Sequence, residues 1–195
     1  MFELGSFWRG LRLSMGVAVL VAVAQDAAAH ALPPLSLEQL VERSDATLLG
    51  HTVSLRSFWQ GPRIVTVARV AVDELWAGSL KGASDIDVVT LGGTVGELGQ
   101  RVDGAGEVPA YGRVVLHVGR AASGEYAPFA MAEGIWQVDS LWGDGGQVHR
   151  DVPVKALRVG RALPGLGWAK GRTGTVGELR AAVLQVAQDL RGRRP

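Results

Sequence analysis

Apolar and polar positions alternate through most of the central part of this chain, and helical spacing replaces the alternation near its two flanks. Over residues 47–59, Leu49, His51, Val53 and Leu55 alternate with Gly50, Thr52, Ser54 and Arg56, the pattern of a strand with one buried face. This phase predicts that His51 points into the apolar side. Gln60-Gly61-Pro62 supplies a turn, and residues 63–75 resume with Ile64, Thr66, Ala68, Val70 and Val72 in one phase. Two long runs joined so closely predict a β-hairpin. Residues 76–82 break the pattern, and further strands are predicted over 86–91, 113–119, 126–131, 135–141 and 147–152. The fourth of the chain's strands, RVVLHVG, is almost continuously apolar, with His117 turned away from Leu116 and Val118.

Helical spacing predicts a short helix over residues 35–43, capped by Ser36 with Gln39 in the reciprocal position and Leu37, Leu40 and Val41 on one face. A second helix is predicted over 176–190, with Thr175 and Glu178 as its capping box and Leu179, Val183, Val186 and Leu190 as its packing stripe. The expected fold class is mainly β (β+α): a small antiparallel OB-like barrel or sandwich with a short N-terminal helix and a C-terminal helix. A closed barrel leaves no long edge strand to aggregate. Residues 92–112 read as a glycine-rich loop, long for a compact domain and therefore functional or mobile.

The first thirty residues add a compartment. Arg9 and Arg12 precede an uncharged run at 13–24, LSMGVAVLVAVA, and small residues follow. That run is shorter than the ~20 residues needed to cross a bilayer. A cleaved signal peptide over 1–31 is expected, cut after Ala29-His30-Ala31, although Ala27-Ala28-Ala29 offers a second site. The mature part then divides into an OB-like domain at 32–153, an irregular connection at 154–175, and the C-terminal helix with a basic tail at 176–195. No stable membrane span is expected once the leader is removed. The chain has no cysteine, so its stability must come from its core, and lipid attachment through cysteine is excluded. With 20 basic and 19 acidic residues the charge balance is near neutral, and no nucleic-acid partner is expected.

Candidate chemistry is sparse. His30, His51, His117 and His149 are dispersed, whereas a zinc site needs three or four converging ligands, so no metal is expected. No G-x-S-x-G nucleophile turn occurs, Asp85 and Asp87 read as solvated strand positions, and Gly92, Gly93, Gly96 and Gly99 lack the Lys-Ser/Thr of a phosphate loop. No cofactor is expected. Tryptophans near strand ends, Trp59 and Trp136 among them, can instead form a binding platform or plug the ends of a barrel. The candidate binding residues are thus Gly92, Gly93, Gly96, Gly99 and Gln100 of the loop, with Trp59 and Trp136.

The segments SLEQLVERSDATLLGHTVSLRSFWQGPRIVTVARVAVDELWAGS, VVTLGGTVGELGQRVDG and YGRVVLHVGR resemble an uncharacterised group of exported bacterial proteins over residues 35–138. More distantly, the arrangement is similar to OB-type barrels of the netrin-like kind, which include the tissue inhibitors of metalloproteinases. Those inhibitors act through an N-terminal cysteine that this sequence lacks, so the resemblance implies only a barrel and a role by binding. The leading expectation is an exported, non-catalytic module that binds a protein or other macromolecule. The alternatives are a secreted hydrolase built on His51, His117 or His149 with a carboxylate such as Asp139, and a structural envelope protein. Expressed in a bacterium with its leader, the protein is expected to appear outside the cytoplasm with Leu32 as its N-terminus. Intact mass measurement checks this, and a chain that still carries residues 1–31 refutes it.

Overall fold

The computed structural model describes residues 35–121, 124–150 and 174–193. The expected leader, residues 151–173 with Trp168, and the last two residues of the basic tail lie outside them. The capping box at Ser36 and Gln39 forms as expected and starts helix α1 (Leu37–Arg43), whose Leu37, Leu40 and Val41 are buried. Two long strands follow, β1 (Ala46–Gln60) and β2 (Arg63–Gly78), joined by the two-residue turn at Gly61 and Pro62. Next come β3 (Asp85–Leu91), the small β4 (Gly93–Val95) and β5 (Leu98–Gln100), and β6 (Arg113–Arg120). β7 (Tyr126–Pro128), a 3-10 turn at Met131–Gly134, β8 (Ile135–Val138), β9 (Gln147–His149) and β10 (Gly174–Thr175) lead to helix α2 (Val176–Gly192). The expected loop at 92–112 therefore contains a hairpin, β4 with β5, that pairs only with itself.

The main sheet closes on itself. β1 pairs with β2 from Ala46↔Gly78 to Gln60↔Arg63, and β2 pairs with β3 from Val65↔Leu91 to Ala71↔Asp85. The first six residues of β1 also pair with β6, whose other edge carries β8 along one half and β7 along the other. One parallel bridge, Val88↔Tyr126, joins β7 to β3. The result is a ring of five strands in the order β1-β2-β3-β7-β6, with β8, β9 and β10 continuing outward from β6. Register shifts at three places in β1 bend it enough to serve both halves of the ring. At one of them, Gly50, a Cβ would collide with the carbonyl of Ala71 and the side chain of Val70, so the bend requires glycine.

Strand alternation sends side chains into two separate cores. Leu48, Ala68, Val70, Val88, Val114 and Leu116 fill the ring. Leu49, Val115, Trp136 and Val148 point outward from it and are covered by Leu37 and Val41 of α1 and by Val176, Leu179 and Val183 of α2. The continuous apolar run of β6 is thereby explained, because every residue from Arg113 to Val118 is buried. The same geometry corrects the reading of His51. It shares the face of Leu49 as expected, but the helices cover only the first turns of β1, so His51, Val53 and Leu55 face solvent.

Helix α2 is capped by Thr175 and Glu178 as expected, and its middle is fixed by Arg180. The guanidinium reaches Asp144 Oδ2 at 2.6 Å and Glu74 Oε1 at 2.5 Å, and lies 5.8 Å from the Trp76 ring centre. Beneath it Leu179 is fully buried. Leu179→Ala is expected to cost about 2–5 kcal/mol in chemical denaturation, because it opens a void between helix and sheet. A loss below 1 kcal/mol would mean that α2 is not part of the core.

Candidate functional site

The widest departure from regular pairing lies where β3 and β7 meet. Tyr126 and Val88 form the single bridge, and β7 then ends at Pro128 while β3 runs on to Leu91. A cavity of about 370 Å³ opens along this gap. Its floor is the outer face of the hairpin and β3, with Phe58, Val65, Val67, Val89 and Leu91 side by side in register. Ala127, Pro128 and Met131 form one wall, and Ala105 and Gly106 another. The groove is apolar but open to solvent, since Leu91 is 37 % and Met131 40 % exposed. Gln60 and Glu125 are its polar ends.

Ala105 and Gly106 also border a second, polar cavity of about 530 Å³, together with Gly92, Gly93, Gln100, Arg101 and Asp103. The segment from Arg101 to Gly106 is thus a partition between an apolar groove and a polar one. The hairpin beside it is stitched to the sheet by side chains. Ile64 N–H donates to Gln100 Oε1 at 2.5 Å, Thr66 Oγ1 donates to the Gly92 carbonyl at 2.7 Å, and Ser57 and Thr66 share a hydrogen bond of 2.8 Å. Gly92 and Gly93 adopt φ of 95° and 133°, and a Cβ on Gly93 would strike the hydroxyls of Thr66 and Ser57.

The structure brings together some of the residues proposed from the sequence and separates others. Gly92, Gly93 and Gln100 line the polar cavity, whereas Gly96 and Gly99 belong to the β4–β5 hairpin. Trp59 is half exposed at the far end of β1, opposite Ile64. Trp136 departs from the expected rim. It is fully buried on β8 within the helix-facing core, because its strand face points toward α2 and not toward the loop. Sequence reasoning missed Phe58, Val65, Val67 and Val89. For the three valines the signal was present in the outward phase of β2 and β3, whose inward phase is also apolar.

The histidines are not assembled. His51 Nδ1 donates to Asp73 Oδ1 at 2.8 Å on the exposed part of β1. His149 lies on β9 on the face opposite Val148. The expected partner Asp139 accepts instead from Gln147 N at 2.6 Å, bracing the turn between β8 and β9. Among the described residues no group of three or more His, Asp or Glu side chains is placed to hold a metal ion. No described helix is long and apolar enough to cross a membrane.

His117 is fully buried on β6, with Nδ1 hydrogen-bonded to Thr47 Oγ1 at 2.9 Å. Burial, aided by the positive charge of Arg150, pushes its pKa down to about 3. Arg150 lies 4.1 Å from the Trp136 ring centre and donates to the Glu133 carbonyl, and burial lowers its own pKa to about 10. No family model, curated protein or solved structure matches this chain.

The neutral imidazole of His117 has a definite consequence for stability. Its folded pKa lies below the ordinary 6.5, so the unfolded chain takes up a proton that the folded one refuses between those values. Stability is therefore expected to be intact above pH 6.5 and to fall as the pH drops toward 3, by up to about 1.4 kcal/mol per pH unit. His117→Gln should be less stable than the native protein at pH 7 yet show a shallower decline between pH 6.5 and 4.5. Equal slopes in urea titrations of the two proteins would contradict the assignment.

Proposed function

We propose that this protein is an exported, non-catalytic binding module that takes a protein or other macromolecule into the apolar groove between β3 and β7. The observation that carries this reading is the groove itself: a row of apolar side chains in register, open to solvent, at the one place where the ring is held by a single bridge. Such a concave, mostly apolar surface with a few polar groups at its ends is the usual form of a recognition site. The glycine-rich segment contributes Ala105 and Gly106 to one wall of the groove, while Gly92, Gly93 and Gln100 line the neighbouring polar cavity. Trp136 does not take part.

We read the ring of five strands, with β1 shared between two neighbours, as OB-type. The face of β2 and β3 in that architecture is a recurrent ligand surface. Export rests on the leader sequence, and the absence of cysteine fits a module that depends on its core.

Panning a random-peptide display library against the purified protein tests the reading. Clones are expected that bind the native protein and lose at least tenfold in affinity to Val67→Glu, a change at a half-buried groove position opposite Arg56. Circular dichroism of the variant controls for folding. If every clone binds both proteins equally, the groove is not the binding surface.

A further inference from the structure

We propose that the groove's occupant is an extended polypeptide segment, apolar at alternate positions and acidic at one end, that adds itself as a strand to the free edge of β3. This deepens the binding reading above and rests on it.

Hydrogen-bond parity decides which neighbour each residue of β3 serves. Gly92 N–H donates to the Ile64 carbonyl at 2.8 Å, and Val72 N–H donates to the Ser84 carbonyl at 2.8 Å, both in the β2–β3 register. Even-numbered residues of β3 therefore bond to β2, and the main-chain groups of Val89 and Leu91 point toward β7. On β7 the bonds from Phe129 N–H to the His117 carbonyl and from Ala121 N–H to the Glu125 carbonyl turn the odd residues toward β6. Tyr126 and Pro128 thus face β3. Tyr126 makes the one bridge. Two residues on, where the parallel ladder needs an amide to donate to the Val89 carbonyl, proline has none. The regular ladder stops there: Val88↔Tyr126 is the one bridge between the two strands, and Pro128 has no amide to offer the Val89 carbonyl.

An unfilled strand edge inside an apolar groove selects for another strand. One residue of an incoming peptide, lying beside Pro128, can donate its N–H to the Val89 carbonyl and accept from Leu91 N–H, while its neighbours' side chains meet Val67 and Phe58. Charge decides the chemistry of one end. Arg56 and Arg63 stand on the same face as Phe58 and Val65 by register, and neither has a carboxylate partner among the described residues; Arg56 only leans over the Phe58 ring at 5.5 Å. Carboxylates on the occupant complement this pair at the hairpin end.

The test uses the full protein and a capped octapeptide of alternating valine and threonine that ends in two aspartates, followed by fluorescence polarisation. Binding is expected, with N-methylation of one alternate set of amides weakening it at least tenfold and methylation of the other set changing it less than twofold. Arg56→Glu combined with Arg63→Glu should weaken this peptide at least fivefold and favour one ending in two lysines. Failure of the octapeptide to bind, or a methylation scan without alternation, overturns the edge pairing. Display clones that still lose binding to Val67→Glu would in that case leave the groove reading intact, so the two ideas fail separately.

Discussion

The first six residues of β1 are bonded along both edges, to β2 on one side and to β6 on the other, and they are buried on both faces except at His51. A strand so placed has no surface left for error. Leu48 must fit the ring and Leu49 must fit the helices, and a slip of one residue would exchange the two. The bend at Gly50 lets the same strand leave this crowded region and continue as an exposed hairpin arm. Ring closure, helix docking and the reach of the hairpin toward the groove all depend on this short stretch.

The pairing also explains why the molecule has two cores. Together β1 and β6 form a wall that is apolar on each side, which doubles the buried surface that a few residues can provide. His117 is the polar exception in that wall. Its partner Thr47 stands directly opposite in the register, so the hydroxyl and imidazole satisfy one another within the sheet. Arg150, stacked against Trp136, completes a polar cluster at the edge of an apolar layer.

Much of this fold was legible in the sequence. Both capping boxes, the long hairpin, the inward phase of β2 and the double burial of β6 follow from local patterns that act over a few residues. What escaped depends on contacts distant in sequence. Whether Leu49 and His51 share the same fate is set by how far α1 and α2 extend, not by anything near His51. The candidate site was half visible. The glycine-rich segment was recognised, but the groove beside it needs β3 and β7 to approach and then part, which depends on a pairing between residues distant in sequence. Trp136 misled because aromatic character near a strand end does not say which side of the sheet it faces.

The clamp at Arg180 has a consequence for the order in which the chain becomes a protein. Its two carboxylate partners lie far upstream, at Glu74 and Asp144, and the arginine itself belongs to the last helix. All five ring strands precede that helix, so a growing chain can finish the ring while Leu49, Val115 and Trp136 still lack the part of their cover that α2 provides. Until residues 176–190 arrive, the half-made molecule presents a greasy flank to its surroundings. The C-terminal helix is thus the last of the described elements to be synthesised and the one that completes the second core.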